Sequence, residues 1–113
     1  MVDDLDVYKT KLDQLRKEFA QHLPAKIDKI RDQWLSLRKG DWDLNQLSEL
    51  HNQVHKIAGS GGIFGFSYVS EVACKIESCL QEAIRLKKPM KKKRMNIMEG
   101  YLEELDDAVK SCN

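Results

Sequence analysis

Histidine and glycine are concentrated in one short segment, HNQVHKIAGSGGIFGF at residues 51–66. It holds two of the three histidines of the chain and four of its six glycines. An unperturbed imidazole has a pKa of about 6.5, so near neutral pH its unprotonated nitrogen can act as a nucleophile. Each glycine inside a helix destabilises it by about 1 kcal/mol relative to alanine. The combination predicts a reactive histidine beside helix positions that lack side chains.

The helical projection selects His55 as the candidate. With about 100° per residue, His55 lies about 100° from the centre of the apolar face of its predicted helix, at the edge of the core face. Gly59 and Gly62 project about 40° and 20° from it. Because glycine has no Cβ, a bulky group or the active site of another protein can approach the imidazole. An exposed imidazole suits covalent modification, and no residue nearby in the sequence completes an obvious catalytic triad.

Two other patterns in this segment resemble known binding motifs. His51 and His55 have the i, i+4 spacing of a helical zinc site, but the zincin motif requires glutamate where Asn52 stands, and no third ligand is recognisable. We therefore expect no metal. The run GSGGIFG resembles nucleotide-binding loops only superficially, because Phe64 replaces a required glycine and no strand precedes it. No bound cofactor is expected.

The elements that must position His55 are helices. Apolar residues recur at steps of three and four, which predicts amphipathic helices rather than strands. Their stripes cover residues 5–19, 23–37, 47–61, 69–84 and 95–109. Each stripe needs neighbours to cover it. The expected fold is all-α, an antiparallel four-helix bundle with an additional N-terminal helix.

Local signals predict where these helices begin and end. Pro24 suits the first turn of the second helix, and Gly40 ends it. Asp41 or Asp43 is expected to cap the third helix. Ser67 or Ser70 is expected to cap the fourth.

Composition limits the class of protein. A chain of 113 residues with 42% hydrophobic and 33% charged residues suits one soluble helical domain over residues 1–113, expected to be a monomer. The acidic N-terminus does not match a signal peptide, and no apolar run approaches the roughly 18 residues of a membrane span. A cytoplasmic location follows as the expectation. Cys74, Cys79 and Cys112 are expected to be reduced thiols.

The connection before the last helix is strongly basic. Residues 87–94, KKPMKKKR, include six lysines and arginines. A solvated turn is the ordinary interpretation, and a surface for an acidic protein partner is the alternative. No aromatic residue is interleaved for base stacking, so nucleic acid is not an expected partner.

The order of residues around His55 resembles the signature of histidine-containing phosphotransfer (HPt) domains. The matching positions are His55, Ile57, Gly59, Ser60, Gly61, Gly62, Phe64 and Gly65. The sequence KIE, ending at Glu77, resembles the hydrophobic-Glu element of the following helix in that family. Helix spacing over residues 5–109 resembles the family's bundle.

The resemblance implies that His55 accepts a phosphoryl group from the aspartyl phosphate of a receiver domain and passes it to another receiver. The receiver domains would belong to response regulators or hybrid histidine kinases. The chain would be a phosphocarrier rather than an enzyme, without an ATP site, and the partner would supply the catalytic aspartate and Mg²⁺.

The resemblance also assigns the surroundings of His55. Gly59, Ser60, Gly62, Glu77 and Lys56 are the expected neighbours of the phosphoryl group. Glu77 either orients the imidazole or is an ordinary exposed charge on its helix, and the sequence leaves both alternatives open. The expected docking residues for the partner are His51, Ser48, Asn52 and Phe66.

One position departs from the family pattern. Many members carry lysine three residues after the histidine, where this chain has Ala58. Lys56 projects about 100° from His55, so the lysine role does not transfer readily to it. The expected consequence is altered phosphohistidine stability or partner choice.

Two other functions are consistent with the same residues. A helical adaptor or inhibitor could dock on a signalling partner through this face without carrying phosphate. A metalloenzyme built on His51 and His55 is a more distant alternative. The presence or absence of a phosphoryl adduct separates the first alternative from the phosphocarrier.

Overall fold

The computed structural model describes residues 4–111, and within them the chain forms four α-helices. They are α1 (Asp4–Lys39), α2 (Leu44–Ile63), α3 (Ser67–Leu86) and α4 (Lys92–Lys110). Each helix packs on the next in chain order, and α4 returns to α1. The short connections turn the chain back on itself each time, which gives an antiparallel four-helix bundle.

The predicted extra N-terminal helix is not a separate element. Its residues and those of the second predicted helix form one continuous helix, α1, of 36 residues. Pro24 lies inside this helix rather than in a first turn, at an exposed position. Phe19, Leu23 and Ile27 follow at four-residue steps and are all buried, so the core-facing stripe runs past the proline. Burial of these apolar side chains on both sides of Pro24 offsets the destabilisation of about 3 kcal/mol that proline causes inside a helix.

The first four turns of α1 extend beyond the bundle. At 1.5 Å per residue α1 is about 54 Å long and the other helices about 30 Å, and the longest dimension of the molecule is 60 Å. Burial along α1 begins at Phe19. Tyr8 and Leu15 are 65% and 43% exposed. The expectation that every apolar stripe is covered within the bundle is therefore wrong for the start of α1.

The core consists of apolar side chains from all four helices, and no polar side chain among the described residues is fully buried. Trp34, Leu50, Ile76 and Leu105 represent the four helices in it, each at most 1% exposed. Ile76 directly precedes Glu77 in α3. Because Ile76 is packed in the core, it fixes the position of this part of α3, which faces α2. No helix in residues 4–111 has the length and apolarity needed to cross a membrane.

The helix ends partly follow the sequence signals. Asp43 caps α2, and its Oδ1 accepts from the backbone N–H of Asn45 at 2.7 Å. Neither predicted serine caps α3, because the residue before that helix is Phe66, which makes no side-chain cap bond. Ser70 instead lies inside α3 and donates to the Ala58 carbonyl oxygen of α2 at 2.6 Å.

The end of α2 is a Schellman turn. Gly65 has φ +85°, the left-handed conformation that glycine adopts without strain. The Phe66 N–H donates to the Gly61 carbonyl at 2.8 Å, and the Gly65 N–H donates to the Gly62 carbonyl at 3.4 Å. This turn reverses the chain in three residues and sets α3 against α2.

Candidate functional site

His55 lies in the middle of α2, on the side that faces away from the core. Its side chain is 67% exposed, as the helical projection predicted. The neighbouring core positions Val54 and Ile57 are 0% and 3% exposed, so packing fixes the rotation of α2 about its axis. The imidazole is therefore held at the edge of the α2–α3 contact with one side open to solvent.

Glu77 of α3 is the hydrogen-bond partner of His55. Its Oε1 lies 2.7 Å from His55 Nδ1, and its side chain is 15% exposed. An ionised carboxylate only accepts hydrogen bonds, so Nδ1 of His55 carries the hydrogen. In the neutral ring the other nitrogen, Nε2, then keeps its lone pair. The pair Glu77–His55 thus presents a nucleophilic nitrogen beside the solvent-exposed face of α2.

His51 belongs to the same cluster. Its ring stacks on that of His55, with 6.2 Å between the centroids and 13° between the planes. Its Nε2 lies 3.7 Å from the same Glu77 oxygen that contacts His55. The His51 side chain is 18% exposed, so much less of it is available to a partner than of His55.

The glycines differ in what surrounds them. A Cβ at Gly59 would meet no atom within 4 Å, so the space beside His55 is open there. A Cβ at Gly62 would lie 3.5 Å from Ser70 Oγ, an ordinary contact. Gly61 is buried, and a Cβ there would lie 3.4 Å from the Ser70 backbone nitrogen. Gly59 and Gly62 are exposed beside the histidine, whereas Gly61 allows α3 to approach.

Lys56 and Ser60 lie on the other side of α2 from Glu77. Both line a groove of about 420 Å³ between α1 and α2, which Lys26, Lys29 and Asn52 also line. The structure therefore does not bring Lys56 to the Glu77 side of His55. Three lysines and one glutamate, Glu49, line this groove, so its wall carries a net positive charge.

The remaining predicted positions divide between the surface and the core. Ser48 and Asn52 are exposed on α2, one to two turns before His55. Phe66 is half-buried, and its ring packs 5.6 Å from that of Phe19. Ala58 is 6% exposed, at the contact with α3. A long side chain at position 58 would have to emerge from this contact.

Within residues 4–111, no group of three or more histidine, cysteine, aspartate or glutamate residues is arranged to hold a metal ion. The carboxylate of Glu77 lies between two imidazoles, 2.7 Å from His55 Nδ1, with which it forms a hydrogen bond, and 3.7 Å from His51 Nε2.

Comparison with protein-family models gives a match to the Hpt domain over residues 14–111. The chain belongs to the Hpt domain family. The match begins within α1 and includes all of α2, α3 and α4. No curated protein and no solved structure matches the chain significantly.

Hpt domains act in phosphotransfer in two-component signalling, interact with receiver domains and are phosphocarriers rather than classical enzymes. The family prediction from the sequence is thus confirmed. The place of His51 beside Glu77 was missed, although its four-residue spacing from His55 was visible. Helical spacing shows that the two rings are neighbours, but it does not show which side chain of α3 meets them.

Proposed function

We propose that this Hpt domain is a phosphorelay intermediate in which His55 accepts a phosphoryl group from a receiver-domain aspartyl phosphate and passes it to a second receiver. The observation that carries the proposal is the 2.7 Å contact between His55 Nδ1 and Glu77, combined with 67% exposure of the His55 side chain. That contact leaves Nε2 as the free nucleophile. The receivers would belong to response regulators or hybrid histidine kinases.

The transfer step is written on His55 Nε2. Its lone pair attacks phosphorus, a P–N bond forms, and the bond between phosphorus and the aspartyl oxygen breaks. The electron pair of that bond leaves with the receiver carboxylate. The ring retains its Nδ1 hydrogen and gains a positive charge, which the Glu77 carboxylate stabilises. In the second transfer an aspartate oxygen of the next receiver attacks phosphorus, and the P–N bond pair returns to Nε2.

The partner supplies the rest of the chemistry. Phosphoryl transfer depends mainly on positioning and on stabilising charge on the transferred group. The receiver would provide the aspartate and Mg²⁺, and this chain binds no cofactor of its own in the proposal. Ala58 offers no cation to the phosphoryl group, so the receiver would also supply that charge.

The docking surface in this proposal surrounds His55 on α2. Ser48, Asn52, Gly59 and Gly62 all project within about 60° of His55, and all four are exposed. Open space at Gly59 leaves room for the receiver's phosphorylated loop. Phe66 contributes to the docking surface as part of the turn that follows α2. We further propose that residues 1–113 act as one cytoplasmic, monomeric domain.

The test is incubation with phosphorylated receiver domains and Mg²⁺, followed by intact-mass measurement. We expect a single phosphoryl adduct that acid hydrolyses and alkali leaves intact. The adduct should be absent in His55→Gln. The matched control is His22→Gln, which removes an exposed histidine of α1, and it should be phosphorylated like the unmodified chain.

Two results would contradict the proposal. A phosphoryl adduct that persists in His55→Gln would place the phosphoryl group on another residue. Stable binding to a phosphorylated receiver without any adduct would instead support a helical adaptor or inhibitor that uses the same surface.

A further inference from the structure

Two imidazoles face one carboxylate oxygen at the site. Glu77 Oε1 lies 2.7 Å from His55 Nδ1 and 3.7 Å from His51 Nε2. In residues 4–111, these two histidines are the groups that form ion-pair contacts with Glu77 within 4.0 Å. No lysine or arginine in that range shares this carboxylate.

The Nε2 atom of His51 is enclosed and lacks a hydrogen bond of normal length. It is inaccessible to solvent, so water does not satisfy it. A buried polar atom without a partner destabilises a fold by about 1–3 kcal/mol. The Glu77 carboxylate oxygen lies 3.7 Å from this atom, a few tenths of an ångström beyond hydrogen-bond distance.

The chemistry of the carboxylate fixes the hydrogen on His51. If Nε2 were unprotonated, its lone pair would face an anionic oxygen, which is repulsive. With Nε2–H, His51 becomes a second donor to Glu77. Ring stacking at 6.2 Å keeps the two imidazoles nearly parallel, so both can donate to the same oxygen from adjacent turns of α2.

We propose that His51 is a positioning residue for the transfer reaction rather than a docking residue. Its Nε2–H donates to Glu77 Oε1 and holds the carboxylate against His55 Nδ1. This contact favours the His55 tautomer with hydrogen on Nδ1 and a free lone pair on Nε2. The predicted effect of His51 on the transfer rate rests on the proposed phosphoryl transfer at His55. Its predicted effect on the His55 tautomer does not.

Two variants separate the hydrogen bond from the ring. His51→Phe keeps an aromatic ring against His55 and removes the N–H donor. His51→Gln removes the ring and keeps an amide N–H near the position of Nε2. If donation to Glu77 is the role of His51, glutamine should rescue what phenylalanine loses.

The first measurement is the tautomer of His55, from ¹⁵N NMR of the ring nitrogens at pH 8, where unperturbed imidazole is largely neutral. We expect the Nδ1–H form to dominate in the unmodified chain and in His51→Gln. In His51→Phe its fraction should fall. Unfolding midpoints and backbone spectra show that each variant is folded.

The second measurement is the rate of phosphoryl transfer from a phosphorylated receiver. We expect His51→Phe to be about fivefold slower, the effect of losing one hydrogen bond, and His51→Gln to be close to the unmodified rate. The idea is overturned if both variants match the unmodified chain in tautomer and rate. It is also overturned if both are impaired equally, because packing of the ring would then explain the effect.

The tautomer experiment is independent of any receiver. If no receiver phosphorylates the unmodified chain, the proposed function fails, and the NMR comparison alone still decides whether His51 positions Glu77. If transfer occurs but the His55 tautomer is the same in all three proteins, the proposed function stands and the role of His51 is rejected.

Discussion

Glu77 Oε1 of α3 lies 2.7 Å from His55 Nδ1 of α2, although 22 positions separate the two residues in the sequence. The contact joins an exposed imidazole to a carboxylate that is only 15% exposed. It orients the ring, selects its tautomer and places a negative charge where the phosphorylated ring would be positive.

Replacing Glu77 should slow phosphorylation of His55. Glu77→Ala removes the acceptor and its charge, so we expect the rate to fall by a factor of roughly ten to a hundred, the range for a hydrogen bond to a charged group. Glu77→Gln keeps an acceptor oxygen without the charge, and its rate should be intermediate. The measurement is single-turnover transfer from a phosphorylated receiver. Glu103→Ala, on the exposed face of α4, is the control, and an equal loss there would show a nonspecific charge effect.

Replacing Gly59 should stabilise the fold but slow phosphoryl transfer. Gly59→Gln places a good helix former where a Cβ meets nothing within 4 Å, so we expect the free energy of unfolding to rise by about 0.5–1 kcal/mol. The added side chain stands about 40° from His55 on α2 and should slow transfer. Denaturant unfolding and single-turnover transfer provide the two readouts.

Gly100 is the matched control for Gly59. It lies within α4, and a Cβ there would also meet nothing within 4 Å. Gly100→Gln should stabilise the chain by a similar amount and leave the transfer rate unchanged. If Gly59→Gln transfers as fast as Gly100→Gln, open space beside His55 is not required for partner access.

Replacing Ser70 should weaken the contact between α2 and α3. Its hydroxyl donates to the Ala58 carbonyl at 2.6 Å in a partly buried setting. We expect Ser70→Ala to lower the free energy of unfolding by about 1 kcal/mol, measured by denaturant titration. Ser78→Ala, at an exposed position of the same helix, should be neutral or slightly stabilising. A neutral Ser70→Ala would show that the hydroxyl is not needed to join the helices.

The two described cysteines should differ in reactivity. Burial raises the pKa of the Cys79 thiol, with a smaller opposing effect from Arg94, whereas Cys74 is exposed. Because the thiolate is the reactive form, Cys79 should alkylate more slowly. In a Cys112→Ser background, which removes the thiol outside the described residues, iodoacetamide at pH 8 should modify Cys74 first by peptide mass mapping. Equal rates would mean that Cys79 is accessible in the native state.

Much of the bundle could be predicted from local patterns in the sequence. The apolar stripes of α2, α3 and α4 correspond to buried positions such as Leu47, Ile76 and Leu105. Asp43 was one of two expected caps of α2, and the structure selects it. The exposure of His55 followed from the projection of one helix, because rotation about a helix axis is set by which of its faces is apolar.

The error at the start of the chain has a physical cause. Pro24 after an apolar stripe indicates a helix beginning, since proline removes a backbone donor. In the structure a single buried stripe continues through Phe19, Leu23 and Ile27. Packing against α2 and α4 stabilises that continuous helix, and such packing is a tertiary effect that local signals do not contain.

The sequence by itself determined the helical class, the exposed histidine and its adjacent glycines, because these depend on the period of one helix. Only the tertiary structure decided that α1 is continuous and that Ser70 bonds to α2 rather than capping α3. It also decided that His51 and His55 share one oxygen of Glu77. Those contacts depend on the register between α2 and α3, which the turn at Gly65 and the close approach at Gly61 fix in three dimensions.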